Sequence, residues 1–216
     1  ATLMHSFGIR NYIDPVVALC LGPAEVSVEE MVTAYTAFSN AGIRVDPMYV
    51  TRIEDNFGNV ISTFTPNMTE VVSQQAYYKM LSILKDVVNE GTGVRMRYKY
   101  GVTAPMGGKT GTTNNNSDGW FMAFTPELSA GVWVGGEDRS IHFDRMSVGQ
   151  GASMALPIYG LFMQKVYADQ TLGYSQDLDF EVPEEYQDVC GEGDLEESSI
   201  TATITEETKV EEEIME

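Results

Sequence analysis

The residues best equipped for chemistry lie in one stretch, Met106-Gly-Gly-Lys-Thr-Gly-Thr-Thr113, followed by an Asn-rich turn and the apolar run Gly119–Thr125. Lys109 offers an ammonium, and Thr110, Thr112 and Thr113 offer hydroxyl donors. That set can grip a carboxylate. If the stretch forms a strand at the edge of a cleft, a backbone N–H can also face a developing oxyanion. Gly111 would let a substrate backbone come close. The triplet Lys-Thr-Gly recurs by chance, however, and the same residues fit a solvated edge strand with a glycine bulge.

Other patterns carry less. Ser82-Ile-Leu-Lys85 has a spacing that stacks serine and lysine on one helix face, where a neutral lysine could take the serine proton. It falls in the middle of a helical pattern and reads as an ordinary helix serine. His5 is placed at the surface or a helix end rather than in catalysis. Arg95, Arg97 and Lys99 interleave with Met96, Tyr98 and Tyr100, which reads as a solvated strand or loop face. A sharper reading makes them an electropositive rim that assists Lys109. Asp118 and Asp144 read as turn carboxylates that satisfy backbone N–H groups. Cys20 and Cys190 show no metal or redox spacing, and Cys20, in an apolar run, is expected to be a buried free thiol. No cofactor and no metal is called for.

The elements that must position Lys109 can be read from periodicity. Leu3, Met4, Phe7 and Ile9 suggest a first helix broken at Gly8, and Asp14-Pro15 marks a turn. Ser27-Val-Glu-Glu30 is a capping box that opens a helix with Val28, Met31, Val32, Tyr35 and Phe38 on its apolar face, stopped at Gly42. Tyr49–Ile53 and Val60–Phe64 predict a hairpin that turns at Gly58. A second helix is expected from Ser73 to Asn89, with Ala76, Met80, Leu81, Leu84, Val87 and Val88 inward. Strands 119–125 and 129–135 would join the Lys109 strand in an antiparallel meander, with Trp120, Phe124 and Trp133 as packing residues. A last helix runs to about Ala168, its predicted apolar face being Ile158, Leu161, Phe162 and Val166.

Charge divides the chain. Of its 216 residues, 169–216 hold 17 of the 32 acids and one of the 13 bases, a net of −16; residues 1–168 carry only −3. The first part has the composition of a folded body. The second is expected to be a disordered acidic tail, because it cannot offset its ordering entropy by burial. Nucleic acid is excluded as a partner for want of a basic face. No apolar run reaches the ~18 residues of a membrane span.

Several motifs taken together resemble the bifunctional (class A) penicillin-binding proteins, which polymerise and cross-link peptidoglycan. They are Gly108-Lys-Thr-Gly-Thr-Thr113, Asp118-Gly-Trp-Phe121, Phe124-Thr-Pro126 and Gly131-Val-Trp-Val-Gly135. Upstream, Asp14-Pro15, Ala18-Leu-Cys-Leu-Gly22, Ala34-Tyr-Thr-Ala-Phe38 and Asn89-Glu-Gly-Thr-Gly93 match the same family. The resemblance covers about residues 1–168. It implies an α+β fold, part of the penicillin-binding-protein and serine β-lactamase type, with an antiparallel sheet and packed helices. The family's Ser-x-x-Lys and Ser-x-Asn motifs precede this region, so the chain is expected to be the C-terminal part of a transpeptidase domain without the serine nucleophile.

By that resemblance Lys109 and Thr112 act in catalysis, and Thr110, Gly111, Thr112 and Thr113 bind substrate. The Thr112 N–H would supply half of the oxyanion hole. Implied partners are a D-Ala-D-Ala stem peptide, β-lactams and the missing N-terminal half of the domain. The implied location is extracytoplasmic, with membrane attachment only through an absent N-terminal anchor. Two alternatives stay open: a D,D-carboxypeptidase or serine β-lactamase relative, and a non-catalytic homologue that binds partners through its tail. Half a domain would also expose apolar area, so the isolated chain is expected to aggregate or to be molten.

Overall fold

The structure, a computed structural model, describes residues 1–186. Helix α1 (Thr2–Ser6) stops before Gly8, whose φ of +98° favours glycine. His5 sits at that helix end, its ring nitrogen bonded to Ile9 O at 2.8 Å. Helix α2 (Val28–Ser39) opens with the anticipated capping box: Glu30 N donates to Ser27 Oγ, and Ser27 N donates to the Glu30 carboxylate at 2.8 Å. The same carboxylate accepts from Arg10 N at 2.7 Å and Asn11 N at 3.3 Å. One buried acid therefore caps a helix and fastens the segment that buries Ile9 and Ile13. Between them Val17–Leu21 form a 3₁₀ turn with Val17, Cys20 and Leu21 exposed. The expected burial of Cys20 does not occur, because no described element covers this turn.

Strands β1 (Ile43–Val45), β2 (Arg52–Glu54), β3 (Val60–Thr63) and β4 (Met68–Glu70) form two small antiparallel pairs, β1 with β4 and β2 with β3. The β2–β3 hairpin is shorter than predicted and turns through Gly58, with the Asp55 carboxylate accepting from Phe57 N and Asn59 N. Helix α3 (Gln74–Asn89) is capped by Ser73. Its buried face is Tyr77, Tyr78, Leu81, Leu84 and Val88, whereas the expected Ala76 and Met80 are exposed. The two tyrosines, rather than the smaller apolar residues, set the rotation of the helix.

After a helical turn α4 (Arg95–Tyr98) comes the principal sheet, β5 (Gly107–Thr112), β6 (Asp118–Phe124) and β7 (Ser129–Gly135), in the predicted antiparallel order. The turn α5 (Met146–Gly149) leads into helix α6 (Gly151–Ala168). Helix α6 covers one face of the sheet, where Phe121 meets Tyr159 edge-on at 5.1 Å. Helix α2 covers the other, where Phe38 stacks on Phe124 at 6.0 Å. Helix α6 buries Ala152, Ala155, Leu156, Tyr159 and Met163, while Gly160 lets the Tyr100 ring pack close. The expected face of Ile158, Leu161 and Phe162 points outward instead; only Val166 of that set is buried. Small residues let the helix lie close, so it packs on its alanine and glycine side.

Residues 169–186, placed by composition in the acidic tail, lie along the body. Phe180 is buried against Phe124, and Tyr186 stacks on Tyr78 at 4.6 Å. Lys85 Nζ pairs with Asp179 at 3.3 Å and lies 5.7 Å from the Phe180 ring centre. The acids of this strap face water while two aromatics anchor it. The remainder of the predicted tail, 187–216, lies outside the described residues.

Two expectations follow. Phe180→Ala should lower unfolding stability by about 3 kcal/mol; a urea midpoint equal to that of the unmodified chain would show that the strap holds nothing. The pKa of Glu30 lies below its ordinary value of 4.5, chiefly through the Ser27 N–H bond, against the opposing effect of burial. Its contribution is thus full above about pH 4.5 and is lost as pH falls through the lower folded value. Glu30→Gln should cost about 1 kcal/mol at neutral pH, with the gap to the parent closing in acid; a pH-independent gap would reject this account.

Candidate active-site strand

Strand β5 reaches its position through glycine contacts. A Cβ on Gly107 would lie 2.6 Å from Phe124 and 3.2 Å from Leu84; one on Gly108 would lie 2.9 Å from Met122 O and 3.2 Å from Val88. Successive side chains on a strand point to opposite faces. A helix that touches both positions must therefore sit across the strand's edge, and α3 does so. Beyond Gly108 that edge opens.

The register decides what the open edge presents. Thr113 N donates to Asp118 O at 3.1 Å, and the ladder pairs Gly111 with Trp120 and Lys109 with Met122. Antiparallel pairs alternate between bonded and non-bonded. The bonded pairs are thus 113/118, 111/120 and 109/122. The N–H groups of Thr110 and Thr112 consequently point away from β6, into the open edge.

Side chains complete the set. Lys109 is exposed, and its Nζ donates to Thr110 O at 2.7 Å; it has no ion-pair partner among the described residues. Thr112 Oγ1 accepts from Gly151 N at 2.9 Å, at the first residue of α6, which leaves its own O–H free to donate. Thr110 Oγ1 shares a hydrogen bond of 2.8 Å with Thr92 Oγ1. Gly111 has Trp120 as its neighbour, where a Cβ would approach to 3.1 Å. A Cβ on Gly151 would run into the carbonyl oxygens of Gly111 and Trp120, so the start of α6 seats directly on the motif strand.

Lys109, Thr110 and Thr112 therefore share one edge, with Gly111 between them in the ladder. Thr113 stands at the turn that ends the strand. Its Oγ1 accepts from Ser117 N at 3.1 Å and Asp118 N at 2.9 Å, which closes the turn between β5 and β6. Asp118 holds Trp133 Nε1 at 3.0 Å and Ser117 Oγ at 2.9 Å, side-chain donors rather than the backbone expected of it. Asp144 is exposed. The lysine of Ser82-x-x-Lys85 is engaged with Asp179.

The basic cluster is a helical turn rather than a strand or loop face. Arg97 donates to Val102 O at 2.8 Å, Ala104 O at 2.7 Å and Asn89 Oδ1 at 2.8 Å, and burial pulls its pKa down. Arg95 donates to Ala152 O and Ser153 Oγ, both at 3.0 Å. Both guanidiniums brace the frame around β5. Thr92 was not singled out from the sequence. Its Gly-Thr-Gly setting is visible there, but its meeting with Thr110 is a tertiary contact between residues 18 apart. Among the described residues no group of three His, Cys, Asp or Glu side chains could hold a metal.

The sequence model described as penicillin binding protein transpeptidase domain matches residues 10–136. Penicillin-binding protein 1A of Aquifex aeolicus is 34% identical over 178 residues, covering 82% of this chain and 23% of that protein. Its namesake in Neisseria meningitidis serogroup B is 32% identical over 167 residues, 74% of this chain and 20% of that protein. The chain thus spans about a quarter of the length of such curated relatives. Among solved structures, penicillin-binding protein 1A from Haemophilus influenzae superposes with a TM-score of 0.70 at 22% identity, over 83% of this chain and 31% of that one. PonA1 from Mycobacterium tuberculosis, solved with penicillin V, gives 0.64 at 20% identity, over 83% and 50%. These two likenesses show the α+β fold.

The glycine seat of β5 is testable on its own. Gly108→Ala should destabilise the chain by about 1–3 kcal/mol, since the new methyl meets Ala123 Cβ and Met122 O, both at 2.9 Å. An unchanged thermal midpoint would mean that α3 and β5 are less tightly joined than described.

Proposed function

Because the chain belongs to the penicillin-binding transpeptidase family, we propose that it supplies the Lys-Thr-Gly wall of a peptidoglycan D,D-transpeptidase site. Groups outside residues 1–216 complete that site. One observation carries the reading: on β5 the exposed Lys109 ammonium, two threonine hydroxyls and the outward N–H of Thr112 share a single open strand edge.

In this reading a serine from outside these residues attacks the carbonyl between the two terminal D-alanines of a stem peptide. The last D-alanine leaves with a proton, and the acyl group then passes to an amine of a neighbouring strand. Lys109 provides positive potential for the substrate carboxylate and for the proton relay. The Thr110 and Thr112 hydroxyls donate to that carboxylate, and Gly111 keeps the strand flat against Trp120. The Thr112 N–H is one donor to the tetrahedral oxyanion, where removal of such a donor costs about 3 kcal/mol. The first peptides of α6 lie behind Thr112, and their aligned dipoles favour negative charge there. Thr113 acts by holding the turn that ends the strand.

A β-lactam offers the same carboxylate and carbonyl, and would acylate the same serine. The reaction takes place outside the cytoplasm, with anchoring by a segment beyond these residues; among the described residues no helix is long and apolar enough to cross a membrane.

Labelling with a fluorescent penicillin tests the proposal. The polypeptide as encoded, with any residues upstream of Ala1, should label, and Lys109→Ala should slow labelling by about 100-fold or more. Folded residues 1–216 alone should not label. Labelling of that piece which disappears in Ser82→Ala would place the nucleophile on α3 and overturn the assignment.

A further inference from the structure

Both hydroxyls on the open edge of β5 are arranged alike. Each threonine oxygen has one hydrogen to give and two lone pairs to fill. Thr112 Oγ1 already accepts a bond from Gly151 N, so its hydrogen is directed elsewhere. Among the described residues the side-chain partner of Thr110 Oγ1 is Thr92 Oγ1 at 2.8 Å, and that bond can run in either direction. If Thr110 donates to Thr92, it has no hydrogen left for an anion. If Thr92 donates, Thr110 is primed as Thr112 is.

We propose that Thr92 is a positioning residue for the substrate carboxylate, and that it acts by donating to Thr110 so that the Thr110 hydroxyl points out of the edge. The inference rests on the transpeptidase reading above and deepens it. A carboxylate beside Lys109 only accepts hydrogen bonds. Its arrival therefore selects the order Thr92 to Thr110 to carboxylate, and each bond in such a chain polarises the next.

The fold holds Thr92 in place for this. Gly91 N donates to Asp86 O at 2.9 Å and Gly93 N to Val87 O at 2.8 Å, so the loop is bound to the last turn of α3. A Cβ on Gly91 would lie 2.9 Å from Val87 Cα, and one on Gly93 3.0 Å from Val87 O. Two residues later, Arg95 ties the same segment to the start of α6. Leu84 meets Gly107, Val88 meets Gly108 and Thr92 meets Thr110, so the side of α3 that covers the strand's edge continues directly into the hydroxyl that serves it. Thr92 is itself exposed, and no packing role accounts for its hydroxyl.

The test uses the polypeptide as encoded and separates binding from acylation, with benzylpenicillin and with its methyl ester, which lacks the anionic carboxylate. Thr92→Val should weaken benzylpenicillin binding about tenfold and leave the acylation step and the thermal midpoint near those of the parent. With the ester the variant and the parent should match. Thr92→Ala should repeat the loss and Thr92→Ser should restore binding. Thr92→Val added to Thr110→Val should cost nothing more, since the two act as one unit. Unchanged benzylpenicillin binding in both Thr92→Val and Thr92→Ala would overturn the proposal. So would equal losses with the ester, or losses that add in the double variant. A parent polypeptide that benzylpenicillin does not acylate would defeat the transpeptidase reading itself, and this inference with it.

Discussion

Everything about the candidate site depends on one strand edge that is closed at its first two residues and open along the other four. Unpaired edge N–H and C=O groups are a hazard that most proteins cover. Here α3 covers the edge at Gly107 and Gly108, and the absence of two side chains is what admits it. From Lys109 to Thr112 the edge is left free, and its outward N–H groups, fixed by the alternation of the ladder, become donors for a ligand. The same strand thus obtains rigidity from its first third and function from the rest. Rigidity matters because an oxyanion donor placed in advance costs no reorganisation when charge develops.

The electrostatics follow from this arrangement. Of the other cations near the strand in sequence, Arg95 and Arg97 spend donors on carbonyls of the frame, and Lys99 lies over the Tyr100 ring at 5.6 Å. Lys109 is left as the cation of the strand itself, exposed and, among the described residues, bonded to a carbonyl one residue away. An incoming carboxylate can draw it off that bond at little cost, since one neutral acceptor is exchanged for a charged one. The start of α6 adds a fixed partial positive charge behind Thr112. Nothing in this arrangement requires the strand to move.

Much of this was legible in the residues. The capping box at Ser27, the extent of α3, the meander and the Lys-Thr-Gly strand all rest on local signals, and these survive in the fold. Helix faces were harder. On α6 helical spacing favours the larger apolar residues as the core side, yet Gly151 and the alanines lie on the buried side, because close approach rewards small residues. On α3 the tyrosines displaced Ala76 and Met80 from the interior. Three-residue strands such as β1 and β4 are too short to show any alternation. The Thr92–Thr110 pair was out of reach for a different reason: a hydroxyl contact between two segments leaves no periodic trace in either.

The outer face of α6 and the exposed turn at 17–21 bear on how this chain relates to its longer relatives. Ile158, Leu161 and Phe162 form a stripe at helical spacing on α6, and Val17 and Leu21 stand 96% and 90% exposed on their turn. A helix apolar on its outer side as well as its inner side has the pattern of one packed between layers. The turn at 17–21 falls within the stretch matched by the transpeptidase domain, and relatives about four times as long align over most of the chain. In a longer relative, further layers can lie against such faces at no extra cost in sequence. Ile158, Leu161 and Phe162 thus lie on the outer side of α6, apart from the core that the described residues build. The open edge of β5 is different in kind, because its exposed groups are polar and lie along one strand edge. Apolar exposure on α6 asks for a packing partner, whereas the edge of β5 asks for an anion.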